Sequence, residues 1–265
     1  MGRGDLGLQA LILAAGYATR LYPLTQTVAK PLLPLAKRPM LDYLVDRIHE
    51  VDEVEAVHVV TNHKFAQAFL DWAESHDVQV HDDGTMSEDD RLGAIGDIQF
   101  VVDRAGLEQE DLLVIAGDNL FDYSLADYVS WWHGKGEASA VVVYDVGSLE
   151  LAARYGIVEL DVNDRVVSFV EKPVQPQSTL ASTAAYVFHR AHVPLIRRYL
   201  DERNVPDQPG RLVAWLVPRV PVYGYEAAGD WRDIGDAAQL LEADNRLRQL
   251  AGLPLRDVYS LNIDG

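Results

Sequence analysis

The sequence predicts an α/β protein, three layers deep, with a mixed but mostly parallel sheet between helices and hairpins inserted in its second half. Three observations lead there. From residue 8 to about 144, apolar runs of strand length alternate with amphipathic segments of helical period. Two of those runs, LQALILA and DLLVIA, are almost continuously apolar, as strands buried on both faces are. After residue 150 short strand patterns gather around turn residues instead.

The first half is read element by element. Residues 8–14 form a buried strand that ends at Ala15-Gly16. Residues 40–51 place Leu41, Leu44, Val45 and Ile48 on one helical face. Residues 56–61 give a second strand, 64–75 a helix carrying Phe65, Phe69 and Trp72, and 78–81 a short strand. A helix is expected over 91–102 despite Gly93 and Gly96. Residues 111–116 form the next buried strand, closed by Gly117-Asp118-Asn119. A helix over 125–133 and a strand over 138–144 complete the first half.

In the second half, residues 156–160 and 165–170 flank Asp161-Val-Asn-Asp164, a hairpin with turn chemistry. A strand is expected over 184–188, a helix over 193–202, a second hairpin from 220–226 and 230–233, and a helix over 236–250. Residues 213–217 are ambiguous, and 251–265 read as an irregular tail. No linker divides the chain. The expectation is one domain over 1–250, with a first half to about 137 and a second half from 138.

Composition narrows the function. With 48% hydrophobic residues in 265, the chain can build a sizeable core. Forty-one acidic against 23 basic residues give a net charge of −18, a field that repels nucleic acid. No cysteine is present, which removes disulfides, thiol catalysis and cysteine zinc sites. No apolar run is long enough to span a membrane, and the start lacks a signal-type apolar segment, so a cytoplasmic location is expected.

Three common signatures are missing. There is no Walker A sequence and no Gly-x-Ser-x-Gly elbow, and only Gly16 occupies the turn where a dinucleotide fingerprint needs three glycines. The first strand leads instead into Ala14-Ala15-Gly16-Tyr17-Ala18-Thr19-Arg20-Leu21-Tyr22-Pro23-Leu24-Thr25, with Lys30 further on. A loop of small residues lets backbone N–H groups approach phosphates, while Arg20 can fork onto their oxygens and Lys30 adds a charge. A plain βα turn with a surface Arg and Lys explains the same residues equally well. Asp118 ends a strand where a carboxylate could hold a metal or merely cap a turn. Glu171-Lys172-Pro173 is either a binding pair or a charged strand end, and Trp231-Arg232-Asp233-Ile234-Gly235 either a site segment or a turn before a helix.

Taken in order, these segments resemble the sugar-1-phosphate nucleotidyltransferases, the nucleotide-sugar pyrophosphorylases of the glucose-1-phosphate thymidylyltransferase type. Gly16, Thr19, Arg20, Leu21, Pro23, Leu24, Thr25, Lys30, Leu32, Leu33, Pro34, Arg38, Pro39 and Met40 match that family's signature loop. Ala18 and Ala29 depart from it, standing where the family has Gly and Pro. Ala18 is expected to keep a negative φ unless the loop relaxes. Arg154-Tyr155-Gly156 before the hairpin adds a further match.

The resemblance implies a Rossmann-like three-layer α/β/α nucleotidyltransferase fold with a nucleotide-binding and a sugar-binding half. It implies the reaction of a nucleoside triphosphate (NTP) with a sugar 1-phosphate to give a nucleotide sugar and pyrophosphate. It assigns catalytic roles to Arg20, Lys30 and Lys172, and nucleotide contacts to Ala14, Ala15, Gly16, Thr19 and Gly117; Gly84, in a stretch that departs from the family, could present backbone groups to the base. It assigns sugar contacts to Tyr155, Gly156 and Glu171, and a Mg²⁺ cofactor to Asp118 and Asp233. A homo-oligomer is usual in the family. The stretch before residue 91 carries no glutamine of the kind that reads pyrimidines, so the base stays open. Two alternatives remain, a non-catalytic sugar-nucleotide-binding paralogue and a cytidylyltransferase for a non-sugar phosphate.

Overall fold

The computed structural model describes residues 7–261. Its centre is a nine-stranded mixed sheet. The strands β1 (Leu8–Leu13), β4 (Val54–Thr61), β5 (Gln79–Asp82) and β6 (Asp111–Ala116) run parallel, in the order β6-β1-β4-β5. In the chain between β1 and β4 come the two-residue strands β2 (Pro34–Leu35) and β3 (Arg38–Pro39), which pair with each other in a separate small sheet. Next to β6 comes the long antiparallel β11 (Leu180–Phe188), and beyond it the hairpin of β9 (Gly156–Leu160) and β10 (Val166–Glu171). The strand β8 (Ser139–Asp145) also pairs with β11, and β12 (Val222–Glu226) lies parallel to β8.

Helices cover both faces because both faces of the parallel strands are apolar. One face carries α1 (Met40–His49), α2 (Ala66–Ala73) and α4 (Leu125–His133), packed through Leu41, Leu44, Phe69, Tyr128 and Trp132. The other carries α3 (Ala94–Ala105), α6 (Pro194–Asp201) and α7 (Pro209–Leu216), through Ile95, Ile98, Ile196 and Leu212. A one-turn α5 (Leu149–Ala152) precedes the β9–β10 hairpin. The last helix, α8 (Ala237–Leu250), starts at an Asp236 cap whose carboxylate accepts from the Gln239 N–H, and it packs beyond the strand ends with Leu33, Leu35 and Ile234. No helix among the described residues is long and apolar enough to cross a membrane.

Three expectations need correction. The third helix begins at Ala94, not 91, because Gly93 sits at φ +78, outside helical backbone, and the Pro206 carbonyl takes the Ile95 N–H. It runs on to Ala105 and stops at Gly106 in the left-handed region. The ambiguous segment is the end of α7, whose Pro209 occupies a first-turn position where the missing N–H costs nothing. The second hairpin does not form. Residues 222–226 run parallel to β8, while β13 (Trp231–Asp233) turns away to pair antiparallel with β7 (Asn119–Phe121). That pairing carries Asp233 to Asn119, beside Asp118.

On the α3 face of β4 and β5 lies a buried polar chain. His58 Nδ1 meets His81 Nε2 at 2.9 Å, and His58 Nε2 reaches Gln9 Oε1 at 3.4 Å. The contact needs one bare nitrogen, and burial, the largest cause, lowers both rings below the usual histidine range. Burial, aided by the neighbouring His81, pushes His58 down to about 4. A histidine depressed in the folded state binds protons better when unfolded, so stability falls as pH drops below about 6.5 and levels off near 4. The expected loss is roughly 3 kcal/mol over that window. Urea unfolding of the wild type and His58→Gln between pH 4 and 7 checks it, because the variant keeps the carboxylate titrations but lacks this component.

Candidate functional site

The site lies at the carboxyl ends of β1 and β6, where open α/β sheets leave a crevice. The loop after β1 is held from both sides. The Ala14 N–H donates to the Val60 carbonyl at 2.9 Å, and the Asn62 amide donates to the Ala15 carbonyl at 2.9 Å. Gly16 and Thr19 are exposed beyond it, and Arg20 follows in a short 3-10 turn. Gly117 donates to the Leu13 carbonyl at 2.9 Å, and a Cβ there would sit 2.8 Å from that oxygen. No larger residue fits where the β1 and β6 ends touch.

Ala18 overturns its expectation. Its φ is +48, in the left-handed region. The Thr25 hydroxyl donates to the Ala18 carbonyl at 2.8 Å, and the Leu21 N–H donates to it at 3.0 Å, so the loop imposes a backbone that glycine takes more easily. Ala18→Gly is therefore expected to leave stability unchanged or raise it by up to about 1 kcal/mol, despite the greater freedom of the unfolded chain. Chemical unfolding at one pH measures it.

The charged residues converge. Lys30 is buried, and its ammonium donates to Asp118 Oδ2 at 2.8 Å. The Ile234 N–H donates to the Asp118 carbonyl at 3.2 Å, which joins the two strand ends. A Cβ at Gly235 would lie 3.8 Å from Arg20 Nη1 and 4.0 Å from Asp233 Oδ2, so Arg20 and Asp233 flank one glycine. Burial first, then the Asp118 charge, push the Asp233 carboxyl up to about 6, while Lys30, Arg20 and Lys172 pull against that rise. In a chain of net charge −18, Lys30 contacts Asp118, and the charges of Arg20, Lys30 and Lys172 all act on Asp233.

Two carboxylates that repel each other at the strand ends offer hard oxygen donors. That donor set suits Mg²⁺, which needs one or two carboxylates when phosphates and waters complete its shell. No group of three His, Asp or Glu side chains suited to a metal occurs among the described residues, so an all-protein cage is not built here.

The second half supplies the opposite wall. Lys172 stands at φ 46 after β10, and its N–H donates to the Tyr155 carbonyl at 3.0 Å. The Tyr155 ring meets Trp231 edge-on at 5.0 Å, and burial followed by the Asp233 charge raises its phenol. Glu171 pairs with Gly156 across the hairpin. A Cβ at Gly156 or Gly210 would fall 2.9 or 2.6 Å from Glu171 Oε2, so two glycines make room for this carboxylate. Burial raises Glu171, with Lys172 and Arg211 opposing. Gly84 is exposed at φ +80. Its neighbour Thr85 ties it to the first loop through a 3.2 Å contact with the Tyr17 hydroxyl.

Several residues that sequence patterns left without a role frame the site. Asn119 donates to the Thr183 carbonyl at 2.8 Å and accepts from the Trp231 indole at 3.1 Å, binding β7, β11 and β13 together. Ala184, next along β11, is left-handed at φ 56, and the β11–β8 register slips between Ser182 and Tyr186. The Gly-Asp-Asn and Trp-x-Asp pieces were visible, but their mutual bonding is a tertiary fact.

The chain matches known proteins along nearly its whole length. A family profile described as nucleotidyl transferase matches residues 9–249. A UTP–glucose-1-phosphate uridylyltransferase from Synechocystis sp. is 27% identical over 97% of this chain and 66% of its own. The bifunctional protein GlmU from Methanocaldococcus jannaschii is 25% identical over 91% of this chain and 54% of its own. The chain thus spans between about half and two thirds of these relatives' lengths. Among solved structures, a Bacillus anthracis protein described as a glucose-1-phosphate thymidylyltransferase, in complex with sucrose, superposes with a TM-score of 0.76. It shares 23% identity, with 97% of this chain and 98% of that one covered. An apo UDP-glucose pyrophosphorylase gives 0.78 at 20% identity, covering 93% of this chain and 100% of its own. The two structures share the α/β fold.

Proposed function

Because the chain belongs to the nucleotidyl transferase family, we propose that it joins a nucleoside triphosphate to a sugar 1-phosphate, releasing pyrophosphate. The observation that carries this reading is the convergence of Arg20, Lys30 and Lys172 on the Asp118–Asp233 pair. A phosphate oxygen of the sugar 1-phosphate attacks the α-phosphorus, and the bond to the β-phosphate oxygen breaks, so pyrophosphate leaves in line. Two anions must meet, and the protein's work is to orient them and offset their repulsion.

Each residue has a part in that work. Arg20 forks onto phosphate oxygens beside the small-residue loop of Ala14, Ala15, Gly16 and Thr19. Gly117 permits the close strand approach that aims Asp118. Lys30, fixed by Asp118, adds a charge that cannot swing away. Lys172 receives the sugar phosphate, and the recessed Glu171 accepts from sugar hydroxyls between Gly156 and Tyr155. Asp118 and Asp233 would hold Mg²⁺, which supplies charge stabilisation at the phosphates when bound. Gly84 offers backbone groups to the base.

The test is a matrix of UTP, dTTP, CTP, ATP and GTP against several sugar 1-phosphates, with pyrophosphate release as the readout. One NTP and sugar phosphate pair is expected to turn over well above the rest. No release from any pair would overturn the reading, as would equal release from wild type and Asp233→Asn. Turnover with phosphorylated alcohols but not with sugar phosphates would point to the non-sugar alternative.

A further inference from the structure

Resting on the reading of Lys30 as a triphosphate contact, we propose that Asp244 is a positioning residue for Lys30, and that residues 252–260 clamp Asp244 in place. Asp244 lies on α8 and is fully buried. Its Oδ1 accepts from the Ala36 N–H at 2.7 Å. Ala36 and Lys37 form the turn between β2 and β3, and both are left-handed, at φ 47 and 75. Residues other than glycine take that backbone at a cost, so the turn needs an outside hold.

From Lys30 the turn is reached through Pro31-Leu32-Leu33-Pro34-Leu35. Two prolines fix φ and remove two N–H donors, so the segment is stiff and makes few bonds of its own. The Lys30 carbonyl takes the Leu33 N–H at 3.1 Å, and the Leu33 carbonyl takes the Met40 N–H at 3.0 Å. A pair of two-residue strands is too short to hold itself. Tyr43 donates to the Leu35 carbonyl at 2.8 Å, but it lies on α1, which continues the same segment. The tie to the other side of the site comes from α8, where Leu33 and Leu35 pack with Ile234, Leu240 and Ala243. Only Ile234, Gly235 and the Asp236 cap separate α8 from Asp233. The Asp244–Ala36 bond therefore joins the segment of Lys30 to the segment of Asp233. It sets where the Lys30 ammonium stands against Asp118.

A buried carboxylate needs compensation, and the end of the chain supplies it. Asp244 Oδ2 has no hydrogen-bond partner and faces the Arg256 guanidinium, with Nη1 at 3.8 Å. Arg256 thus offers charge without competing for the oxygen that holds Ala36. It is fixed in turn. Its N–H donates to Asn245 Oδ1 at 2.8 Å, its carbonyl accepts from the Asn245 amide at 2.8 Å, and its Nη1 donates to the Ser260 carbonyl at 2.8 Å. Further along α8, Arg248 Nε donates to the Pro254 carbonyl, and the Leu253 N–H donates to the Arg248 carbonyl at 2.8 Å. Tyr259 closes the clamp, its hydroxyl donating to the Pro34 carbonyl at 2.9 Å and its ring buried against the same apolar cluster. Residues 252–260 form no helix or strand, yet side chains of α8 and the backbone of β2 bind them on both sides.

The chain has five lysines, at 30, 37, 64, 135 and 172, so each can be followed separately. The experiment is trace acetylation of the whole protein with acetic anhydride, read by peptide mass at Lys30 relative to the exposed Lys64. In the wild type Lys30 is expected to react slowly, because it is buried and bound to Asp118. Asp244→Ala is expected to raise the Lys30-to-Lys64 ratio by roughly tenfold, the equilibrium worth of one buried hydrogen bond. Tyr259→Phe keeps the ring and loses one bond, and a rise of about threefold is expected. Asp244→Asn keeps an oxygen for the Ala36 N–H and is expected to stay within about a factor of two of wild type. KM for whichever NTP turns over in the substrate matrix is expected to rise with the ratio, while KM for the sugar phosphate stays put. A merely structural Asp244 lowers stability and moves neither the ratio nor the split between the two KM values. An unchanged ratio in folded Asp244→Ala would overturn the proposal. So would an equal rise at Lys135, labelling of Asp244→Asn at the alanine level, or a raised ratio with unchanged NTP KM. If Asp244→Ala does not fold, the ratio in Tyr259→Phe decides in the same way. If no NTP turns over, the functional reading fails by itself, and the labelling still decides whether Asp244 seats Lys30.

Discussion

Replacing either carboxylate of the Asp118–Asp233 pair by asparagine is expected to cut kcat by about two to three orders of magnitude, with the two variants moving stability in opposite directions. Asparagine keeps the shape and removes the charge. Asp233 is pushed up by burial and by Asp118, so its charge is a cost in the resting protein. Asp233→Asn removes that cost, and its melting temperature is expected to hold or rise. Asp118 instead accepts from the buried Lys30 at 2.8 Å. Asp118→Asn strands that ammonium and is expected to destabilise by about 1–2 kcal/mol, less than a fully buried pair because Asp118 is partly exposed. The double variant should lose little more kcat than either single one, since both act through one ion. Chelation should abolish wild-type turnover, and added Mg²⁺ should restore it. Turn and cap roles predict lower stability with activity kept. Kinetics and thermal unfolding on the three variants decide between these outcomes, and retained turnover in Asp233→Asn would remove the metal assignment.

The parallel half of the fold was legible because its strands are apolar on both faces and its helices carry clean stripes. LQALILA and DLLVIA cannot lie anywhere but inside the sheet, and their ends fix where a crevice opens. Asp118 and Lys172 were expected at the site for a related reason, since each closely follows a strand whose end was already placed, whereas Lys30 and Asp233 gained their place there only through the resemblance. What failed was pairing. Residues 220–226 and 230–233 look like two arms of a hairpin, yet each finds a better partner far away in sequence, β8 and β7. Local turn chemistry cannot report a free edge on a distant strand. Ala18 failed differently. The preference of alanine for negative φ is weak enough for the Thr25 hydroxyl bond and the 3-10 turn to override it.

Lys172→Ala is expected to raise KM for the sugar 1-phosphate by roughly tenfold to a hundredfold and to leave KM for the nucleotide within about a factor of two. The lower bound is the loss of one charge-assisted contact, about 1.5–3 kcal/mol. Specificity for one substrate comes from where the residue stands. Arg20 and Lys30 project from the first half, beside the β1 and β6 ends, whereas Lys172 closes β10 on the wall that carries Glu171 and Tyr155. Its backbone is held at φ 46 by the N–H bond to Tyr155, a conformation that directs the residue out of the strand line. Lys172→Arg keeps the charge but carries a larger, planar head, so partial rescue is expected, with KM between those of alanine and wild type. A purely structural lysine predicts lower stability and equal changes in both KM values. A charge that only tunes Asp233 predicts a change in kcat with both KM values kept, because Lys172 pulls that carboxyl down from the same wall. Steady-state kinetics with each substrate varied in turn separate the three, and an unchanged sugar-phosphate KM in the alanine variant would remove Lys172 from the sugar-phosphate site.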